Sequence, residues 1–456
     1  MRSKRATPIY LMYEVEIREL PSRILLAESL LKKIDYIKIF QHSQLAKICL
    51  FSTPGILFIK SSPYQLDLTF KIAKLRGFRI VSCQEEGLHF FGDNESFGTL
   101  YPITFSRNTA HLIDLYLAWH QNDFKTAVRV GVPAEKIKIV GNIRLKIVDR
   151  LSKRKVVNTE NLKILLITNF NFADQLDLFR KEKQDGKQGD YEKLFQQAIP
   201  FYNQNLNVFK KTEELYLEFI KKSFSHNLEI ILRRYFYDTK SFSESKYSNV
   251  VLDDNYIIGN SINDCDLVIH YGSTAAIEAI CGNRIPILLT SDLAFQDSRM
   301  LALGPNFIEV DSLLNWIDSL SEETLESELS KSQNALQVGY GIDVNLDSVD
   351  LIANEILREI DDYLHNKKIS GVIEIDFKLY LKVFFVSFRE FIGKRIKKLV
   401  FLNSKKVKKG NKANLLTDFL IRSIAAELGI TDKMSRFQVE ISRNKRSLVL
   451  KKISGP

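Results

Sequence analysis

The chain has 456 residues, more than one domain usually holds, and this length suits two α/β domains followed by a further segment. Hydrophobic residues make up 45% of it, so each half can bury a core. No run of about 18 apolar residues and no paired cysteine or cysteine–histidine spacing occurs, which argues against a membrane-spanning helix, a zinc site and a disulfide framework. The basic start lacks the apolar core of a signal peptide, so we expect a reducing, cytoplasmic location.

The net charge of +10 comes from one short segment. Residues 382–412 contain 11 Lys and Arg residues and one acid, Glu390, and therefore contribute +10 by themselves. The rest of the chain is close to neutral. Nucleic-acid binding would require a basic face spread over the fold, so we expect no nucleic-acid partner.

Short apolar runs alternate with helical stretches in the first third of the chain. These runs predict strands at 9–15, 36–40, 56–59, 79–83, 114–119 and 137–140. Apolar residues at helical spacing predict helices at 22–33, 64–75 and 123–130. Strands that alternate with helices form parallel βαβ units, so residues 1–151 are expected to form an N-terminal Rossmann-like domain.

A second series of the same kind follows the polar stretch 152–161, which we interpret as a linker. It predicts strands at 163–168, 229–233, 250–252, 267–270 and 285–289, and helices at 203–224, 256–263, 273–281 and 346–364. Residues 169–200 are polar and irregular and are interpreted as an insertion. The predicted fold is α/β, with two Rossmann-like, doubly wound parallel-sheet domains (1–151 and 162–365) that face a cleft, and a basic, helical tail at 366–456.

The most informative stretch is the strand–turn–helix unit that contains His270. Gly272 lets a ligand approach the backbone closely, and Ser273 and Thr274 place hydroxyls and free N–H groups where a helix begins and an anion is favoured. Glu278 lies four residues after Thr274 on the same helix face, where its carboxylate can accept hydrogen bonds from ribose or sugar hydroxyls. The alternatives are that Ser273 only caps the helix and that His270 is a core histidine.

Two adjacent carboxylates, Glu85 and Glu86, follow the strand predicted at 79–83 and precede a glycine. The carboxyl end of a parallel strand faces the expected cleft, so either carboxylate is a candidate catalytic base or nucleophile. The alternative is a solvated acidic turn.

Two further groups of polar residues are candidates for lining the cleft. Arg18 and Glu19 follow the first predicted strand, where the guanidinium can hold a phosphate or an acidic acceptor, unless it forms an ordinary surface ion pair. Asn142 and Arg144 lie at the domain junction, either in a hinge turn or with their side chains in the cleft.

Taken in order, these motifs resemble the bacterial surface carbohydrate biosynthesis protein family. They are similar, more loosely, to sugar-nucleotide 2-epimerases and capsule Kdo transferases of the GT-B fold. The resemblance covers residues 9–365. It rests on Glu14 with Arg18-Glu19-Leu20, on Leu25-Leu26-Ala27, on Gln84 to Leu88, on Leu117-Ala118-Trp119, on Lys136 to Lys146 and on His270 to Ala279.

The resemblance implies a metal-independent GT-B glycosyltransferase for surface polysaccharide or lipopolysaccharide. It implies no cofactor besides a nucleotide sugar, which the second domain would hold at the Gly272–Thr274 turn and near Glu278. The first domain would hold a glycan or lipid-linked glycan acceptor and supply Glu85 or Glu86.

The chain departs from the family pattern at several positions. Gln84, Ile143 and Lys146 replace an acid, a proline and an aspartate. The stretch that begins with Arg233-Arg234 lacks the His-Pro pair that related transferases place against the nucleotide. Arg233 is then expected to neutralise the diphosphate.

Two other functions stay open on the same fold. One is a sugar-nucleotide epimerase or hydrolase, because a fold does not determine a reaction. The other is a non-catalytic member that binds glycan or partner enzymes, which the altered stretch at Tyr235-Phe236 favours.

Residues from 377 onward mix aromatic and basic side chains, such as Phe384, Phe388, Lys394 and Lys398. Such a stretch can form a helix with an apolar face and a basic face. We expect it to dock on the anionic inner face of the cell membrane as a peripheral attachment. The alternative is that its apolar face packs on the first domain.

Overall fold

A computed structural model describes residues 7–60, 66–83, 85, 108–151, 161–168, 191–234, 247–253, 255–296, 298–343, 346–369, 418–428, 430, 437–441 and 447–452. Within these residues the chain forms a sheet of eight strands and a sheet of six strands, with helices packed on both. We call the eight-stranded sheet with its helices the first unit, and the six-stranded sheet with its helices the second unit.

The first unit is built on six parallel strands, in the order β2-β1-β3-β4-β5-β6. Their bounds are β1 (Ile9–Tyr13), β2 (Tyr36–Gln41), β3 (Ile56–Ile59), β4 (Arg79–Cys83), β5 (Leu115–Ala118) and β6 (Ile137–Ile139). Strands β1, β3 and β5 are buried along their whole length, as expected for central parallel strands with both faces covered. All six were predicted from their apolar runs.

The helices of this part are α1 (Glu16–Leu30), α2 (Leu45–Phe51), α3 (Asp67–Leu75), α4 (Gln121–Arg129) and α5 (Ile143–Leu151). The predicted start of α1 at residue 22 is wrong. The helix begins at Glu16, with Glu16 and Glu19 in its first turn and Pro21 inside it. Acidic side chains are favoured in the first turn of a helix, and here they mark its start more accurately than the proline does. Helices α2 and α5 were not predicted.

The second unit has six parallel strands in the order β12-β11-β10-β7-β8-β9. They are β7 (Lys163–Ile167), β8 (Glu229–Arg233), β9 (Val250–Leu252), β10 (Leu267–His270), β11 (Ile285–Leu289) and β12 (Asn306–Phe307). All except the two-residue β12 were predicted.

The helices of this part are α6 (Tyr191–Ser223), α7 (Ile258–Asn263), α8 (Ala275–Cys281), α9 (Ser298–Leu301), α10 (Val310–Asp318) and α11 (Glu322–Ala335). Helix α6 passes through Pro200, so the irregular structure expected for 169–200 is wrong for residues 191–200. Residues 169–190 lie outside the described residues.

Helix α12 (Ser348–Ile369) returns the chain to the first unit. Its buried face, which includes Ile352 and Ile356, belongs to the core beneath α1. The Ser29 hydroxyl donates to Asp350 at 2.7 Å, and the Arg79 guanidinium lies 3.0 Å from the Glu359 carboxylate. Residues 348–365, which we assigned to the second domain, therefore pack on the first.

The tail was expected to be helical, and its described residues form one helix and two strands. It contributes α13 (Asp418–Glu427), β13 (Phe437–Ile441) and β14 (Ser447–Lys452). Strand β14 pairs antiparallel with β2, and β13 pairs with β14 at the edge of the sheet. Leu448 and Leu450 alternate into the core, a strand pattern that basic neighbours concealed. Residues 370–417 lie outside the described residues, and no described helix is long and apolar enough to cross a membrane.

Candidate functional site

Each sheet has a topological switch point, which is a pair of neighbouring strands after which the chain continues towards opposite edges of the sheet. It lies between β1 and β3 in the first sheet and between β7 and β10 in the second. The crevice beyond the carboxyl ends of such strands is where doubly wound sheets bind ligands. Glu14 to Glu16 follow β1, Lys60 follows β3, Thr168 follows β7 and Tyr271-Gly272 follow β10.

Hydrogen bonds and an ion pair connect the two units around this region. The Tyr256 hydroxyl of the second unit donates to Glu16 of the first at 3.3 Å. The Arg144 guanidinium, at the start of α5, donates to Glu278 on α8 at 2.6 Å. The carboxyl edges of the two sheets therefore face each other, and we take the space between them as the candidate site.

Glu85 is held by Arg23 inside the first unit. The two side chains are joined by two hydrogen bonds, of 2.5 and 3.0 Å, and are 1% and 0% exposed. Arg23 also donates to the Met12 carbonyl at 2.6 Å and stacks over the Phe58 ring. Both Glu85 oxygens are occupied by this pair, so the expected cleft-facing carboxylate is instead part of the core. Glu86 and Gln84 lie outside the described residues.

Glu19, expected to line the cleft, is likewise buried. Its carboxylate lies 2.8 Å from the Lys60 ammonium and accepts from the Glu14 backbone N–H at 2.5 Å. Burial raises the pKa of Glu19, but the charges of Lys60 and Arg23 and these hydrogen bonds outweigh it and lower the pKa to about 2. Glu19 therefore stays ionised and holds Lys60 at the end of β3, a position that sequence reasoning missed.

Glu16 is the titratable carboxylate at this crevice that sequence reasoning also missed. It is partly buried at the first position of α1, and burial raises its pKa to about 7, against a hydrogen bond from Tyr256 that lowers it. A group with such a pKa exchanges protons at neutral pH. The signal was available, because Glu16 comes three residues after β1, where a cleft residue is expected.

Asn142, Arg144 and Glu278 connect the two units. The Asn142 side-chain oxygen accepts from the Arg144 backbone N–H at 2.8 Å and so caps α5. Arg144 is 12% exposed and Glu278 3% exposed. Glu278 and Arg144, predicted in separate domains, are therefore brought together as one ion pair.

The turn after β10 has the backbone that the sequence predicted. Gly272 has φ +53°, and a Cβ added there would lie 2.7 Å from the Gln296 side-chain oxygen. The Ser273 hydroxyl accepts from the Ala275 N–H at 3.2 Å, and Thr274 precedes α8 without a side-chain cap bond. His270 is buried and accepts a long bond of 3.5 Å from the Ser273 N–H, which fixes the turn.

Arg233 ends β8 and is anchored from one side. Its Nη1 donates to Asp253 at 2.5 Å, to the Asn255 carbonyl and to the Ser261 hydroxyl. The side chain is 15% exposed, and Asp253 neutralises its charge. Arg18 lies partly buried in the first turn of α1, on the same side of the first sheet as Glu16. In the described part of the chain, no cluster of His, Cys, Asp or Glu side chains is arranged to hold a metal ion.

No protein-family model and no curated protein matches the chain, whereas several solved structures resemble it. A variant of the wall teichoic acid polymerase TagF gives a TM-score of 0.52 at 11% identity, over 79% of this chain and 90% of that one. A TagF variant soaked with CDPG gives 0.50 at 10% identity, over 78% and 89%. MnaA of S. aureus, in a co-structure with UDP, gives 0.50 at 12% identity, over 79% and 97%.

At such low identity these likenesses show the fold alone. They confirm the predicted α/β architecture, in which two parallel-strand sheets with alternating helices form a GT-B fold. The chain is thus a distant structural relative of these proteins, with which it shares the GT-B fold.

Proposed function

We propose that the protein is a glycosyltransferase that uses a nucleotide-activated sugar to build a surface polysaccharide or lipopolysaccharide. The observation that carries the proposal is the pairing of two crevices across the units. One presents the glycine turn at Gly272, which suits a donor phosphate, and the other presents Glu16, a carboxylate that titrates near neutral pH. The GT-B fold supports this proposal, since TagF and MnaA share it.

The second unit binds the donor in this proposal. The diphosphate lies at the Gly272–Thr274 turn, where glycine has no side chain of its own and the end of the flexible Gln296 side chain, which lies against it, gives way to the ligand; the ribose lies near Glu278. Arg233, whose charge is already shared with Asp253, lies at the end of β8, two strands from β10, and contributes further hydrogen bonds to the donor. The CDPG soaked into a TagF variant and the UDP bound to MnaA support a nucleotide-linked donor.

The first unit binds the acceptor and supplies the base. Glu16 accepts the proton of an acceptor hydroxyl, whose oxygen forms the new bond to the anomeric carbon of the donor sugar. The bond from that carbon to the diphosphate breaks, and the diphosphate leaves with the electron pair. Glu16, with a pKa near neutral pH, suits this role better than Glu85, which forms a buried ion pair with Arg23. Glu86 stays a prediction.

The acceptor in this proposal is carried by a lipid, and the basic segment 382–412 binds an anionic membrane surface. This segment lies between α12 and α13, both of which pack on the first unit through residues such as Ile356 and Ile424. Its attachment would therefore hold the acceptor side of the cleft near the membrane.

The membrane part is tested by charge removal, because truncation after residue 370 would also remove two strands of the first sheet. We expect full-length protein to sediment with vesicles containing phosphatidylglycerol at low salt and to be released at high salt. Replacing Lys394, Lys397 and Lys398 by Gln should weaken that sedimentation. Equal sedimentation with neutral vesicles, or none with either kind, contradicts this part of the proposal.

The activity is tested in two steps. Calorimetry with UDP, CDP, GDP and dTDP should identify one nucleoside diphosphate that binds, and the matching nucleotide sugar should release it only when a membrane-derived glycan acceptor is added. Release without acceptor identifies a hydrolase, and interconversion of two nucleotide sugars identifies an epimerase. Addition of EDTA should leave turnover unchanged, as the proposed metal independence requires. Binding to none of the four nucleotides contradicts the proposal.

A further inference from the structure

Helix α5 is shared between the units. Ile143 and Ile147, one helical turn apart, lie in the core of the first unit, whereas Val148 lies in a cluster with strands β7 and β10 of the second. Arg144 projects from the first turn of this helix to Glu278 of α8. The Arg144–Glu278 ion pair therefore connects an element anchored in the first unit with the helix that follows the glycine turn.

Arg144 is a mostly buried cation near the start of a helix. The amino end of a helix carries partial positive charge, so a cation in the first turn of α5 is destabilised by roughly 0.3 to 1 kcal/mol. Burial lowers the pKa of Arg144, but the charges of Glu278 and Glu85 outweigh it and raise the pKa, so the guanidinium stays charged. The side chain is still 12% exposed, and a charged, partly accessible guanidinium suggests a second, anionic partner.

The contacts of Arg144 leave it capacity for that partner. Only Nη2 contacts Glu278, at 2.6 Å, and Nη1 makes a long bond of 3.4 Å to the Glu85 carbonyl. Glu278 itself donates its backbone N–H to the Thr274 carbonyl at 3.2 Å, so the carboxylate belongs to a residue one helical turn after the glycine turn. Arginine binds phosphate through two parallel N–H groups, a stronger arrangement than this single contact.

We propose that Arg144 changes partner when a nucleoside diphosphate binds, an inference that rests on the proposed donor site at Gly272–Thr274. The guanidinium leaves Glu278 for the diphosphate, and Glu278 then accepts hydrogen bonds from the ribose hydroxyls. Arg144 thus acts as a positioning residue that joins the donor in the second unit to the first unit. The Asn142 side chain, which accepts from the Arg144 backbone N–H, keeps the base of the Arg144 side chain in place.

If the exchange occurs, variants of Arg144 and Glu278 should change the affinity for the diphosphate and the affinity for the nucleoside separately. If the ion pair is purely structural, its loss should change both affinities together. Removing the guanidinium should weaken binding of the diphosphate but not of the nucleoside. Removing the Glu278 charge should weaken binding of the nucleoside, because its ribose loses an acceptor. The diphosphate contact of Arg144 should survive, since that variant leaves the guanidinium free of a competing carboxylate.

The test is calorimetry on the full-length chain with the nucleoside diphosphate that the wild type binds and with its parent nucleoside. For Arg144→Gln we expect affinity for the diphosphate to fall about tenfold or more, with nucleoside affinity within about twofold of wild type. For Glu278→Gln we expect nucleoside affinity to fall about tenfold. Arg150→Gln is the matched control on the last turn of the same helix, and both affinities should be unchanged in it.

Arg144→Lys guards against misfolding, which circular dichroism would reveal. Lysine keeps the charge and a contact to Glu278 but not the two parallel N–H groups, so diphosphate affinity should still fall several-fold. Unchanged diphosphate affinity in Arg144→Lys and Arg144→Gln overturns the exchange while leaving the proposed function intact, and so does an equal fall for diphosphate and nucleoside. If the wild type binds no nucleoside diphosphate, both this inference and the proposed function are wrong.

Discussion

The two sheet edges that face each other use different chemistry. At the first edge, the described charges are largely buried and paired with one another, as in Arg23–Glu85 and Lys60–Glu19. At the second edge, the turn after β10 consists of a glycine and two hydroxyl residues, and the Arg233–Asp253 ion pair lies two strands away at the end of β8. The difference indicates that buried ion pairs stabilise the first edge, whereas the second edge is the one that we propose a ligand approaches closely.

This contrast explains why two acidic residues next to each other in space have different roles. Glu19 is ionised by nearby cations, and its pKa falls to about 2, so it cannot exchange protons at neutral pH. Glu16 has no such cation among the groups that shift its pKa, and burial raises it to about 7. Pairing removes a carboxylate from acid–base chemistry, and partial burial without pairing prepares one for it.

The largest expected effect comes from breaking a buried ion pair at the first edge. Glu85→Ala leaves the Arg23 guanidinium charged, buried and without its carboxylate, so the free energy of unfolding should fall by about 3 to 5 kcal/mol. Urea denaturation measures this. Glu328→Ala removes the more exposed Lys331 partner and should cost less than about 1 kcal/mol. Equal losses in the two variants would show that the buried ion pairs do not stabilise the first edge more than exposed ones do.

Next in size is the effect of Glu16→Gln on turnover. Glutamine keeps the shape and the hydrogen bond to Tyr256 but cannot accept the proton, so turnover should fall by about 10²-fold or more with donor affinity unchanged. Wild-type turnover should rise with pH through about 7, as Glu16 loses its proton, and this step should vanish in the variant.

Glu135→Gln is the control for that variant, because Glu135 is exposed just before β6, at the opposite edge of the same sheet. Its turnover and pH profile should match the wild type. A Glu16→Gln enzyme with normal turnover would remove the proposed base and direct attention to Glu86.

The fold could be predicted from the sequence where the signal is local. Strands such as β3 and β10 are short apolar runs bounded by polar or turn residues, and their predicted bounds match the structure. Strand β14 was missed because its core positions, Leu448 and Leu450, lie among basic residues. It is held by pairing with β2, some 400 residues away in the sequence, a contact that local patterns do not report.

The candidate site was predictable only in part, for a related reason. The glycine turn between β10 and α8 follows from a local strand–turn–helix pattern and is present as predicted. Whether a carboxylate is buried in an ion pair depends on distant residues, and Arg23 lies 62 positions from Glu85. Sequence reasoning therefore named Glu85, which is held in a buried ion pair with Arg23, and passed over Glu16, whose pKa is raised by burial.

A smaller effect tests the second edge as a surface for close approach. Gly272→Ala imposes a left-handed conformation on alanine, a cost of about 1 to 2 kcal/mol, and places its Cβ against Gln296. Nucleotide affinity, measured by calorimetry, should fall about tenfold. Gly77→Ala pays the same conformational cost at φ +85° with nothing within 4 Å, so it should lose similar stability and no affinity. Equal affinity in both variants would show that no ligand approaches the turn.

The smallest expected effect concerns the pH dependence of stability. The pKa of Glu16 is about 7 in the folded chain and about 4.5 as the unfolded reference, so the folded state binds more protons between those values. The Glu16 contribution therefore favours folding below about pH 4.5 and is lost as the pH rises through 7. Glu16→Gln should remove this loss and make the chain slightly more stable than wild type at pH 8, with no gain at pH 4. The difference should be about 1 kcal/mol or less, because water screens a partly exposed carboxylate. Urea denaturation at the two pH values measures it, with Glu135→Gln as the reference, and a variant less stable than wild type at pH 8 would show that Glu16 is held ionised, as Glu19 is.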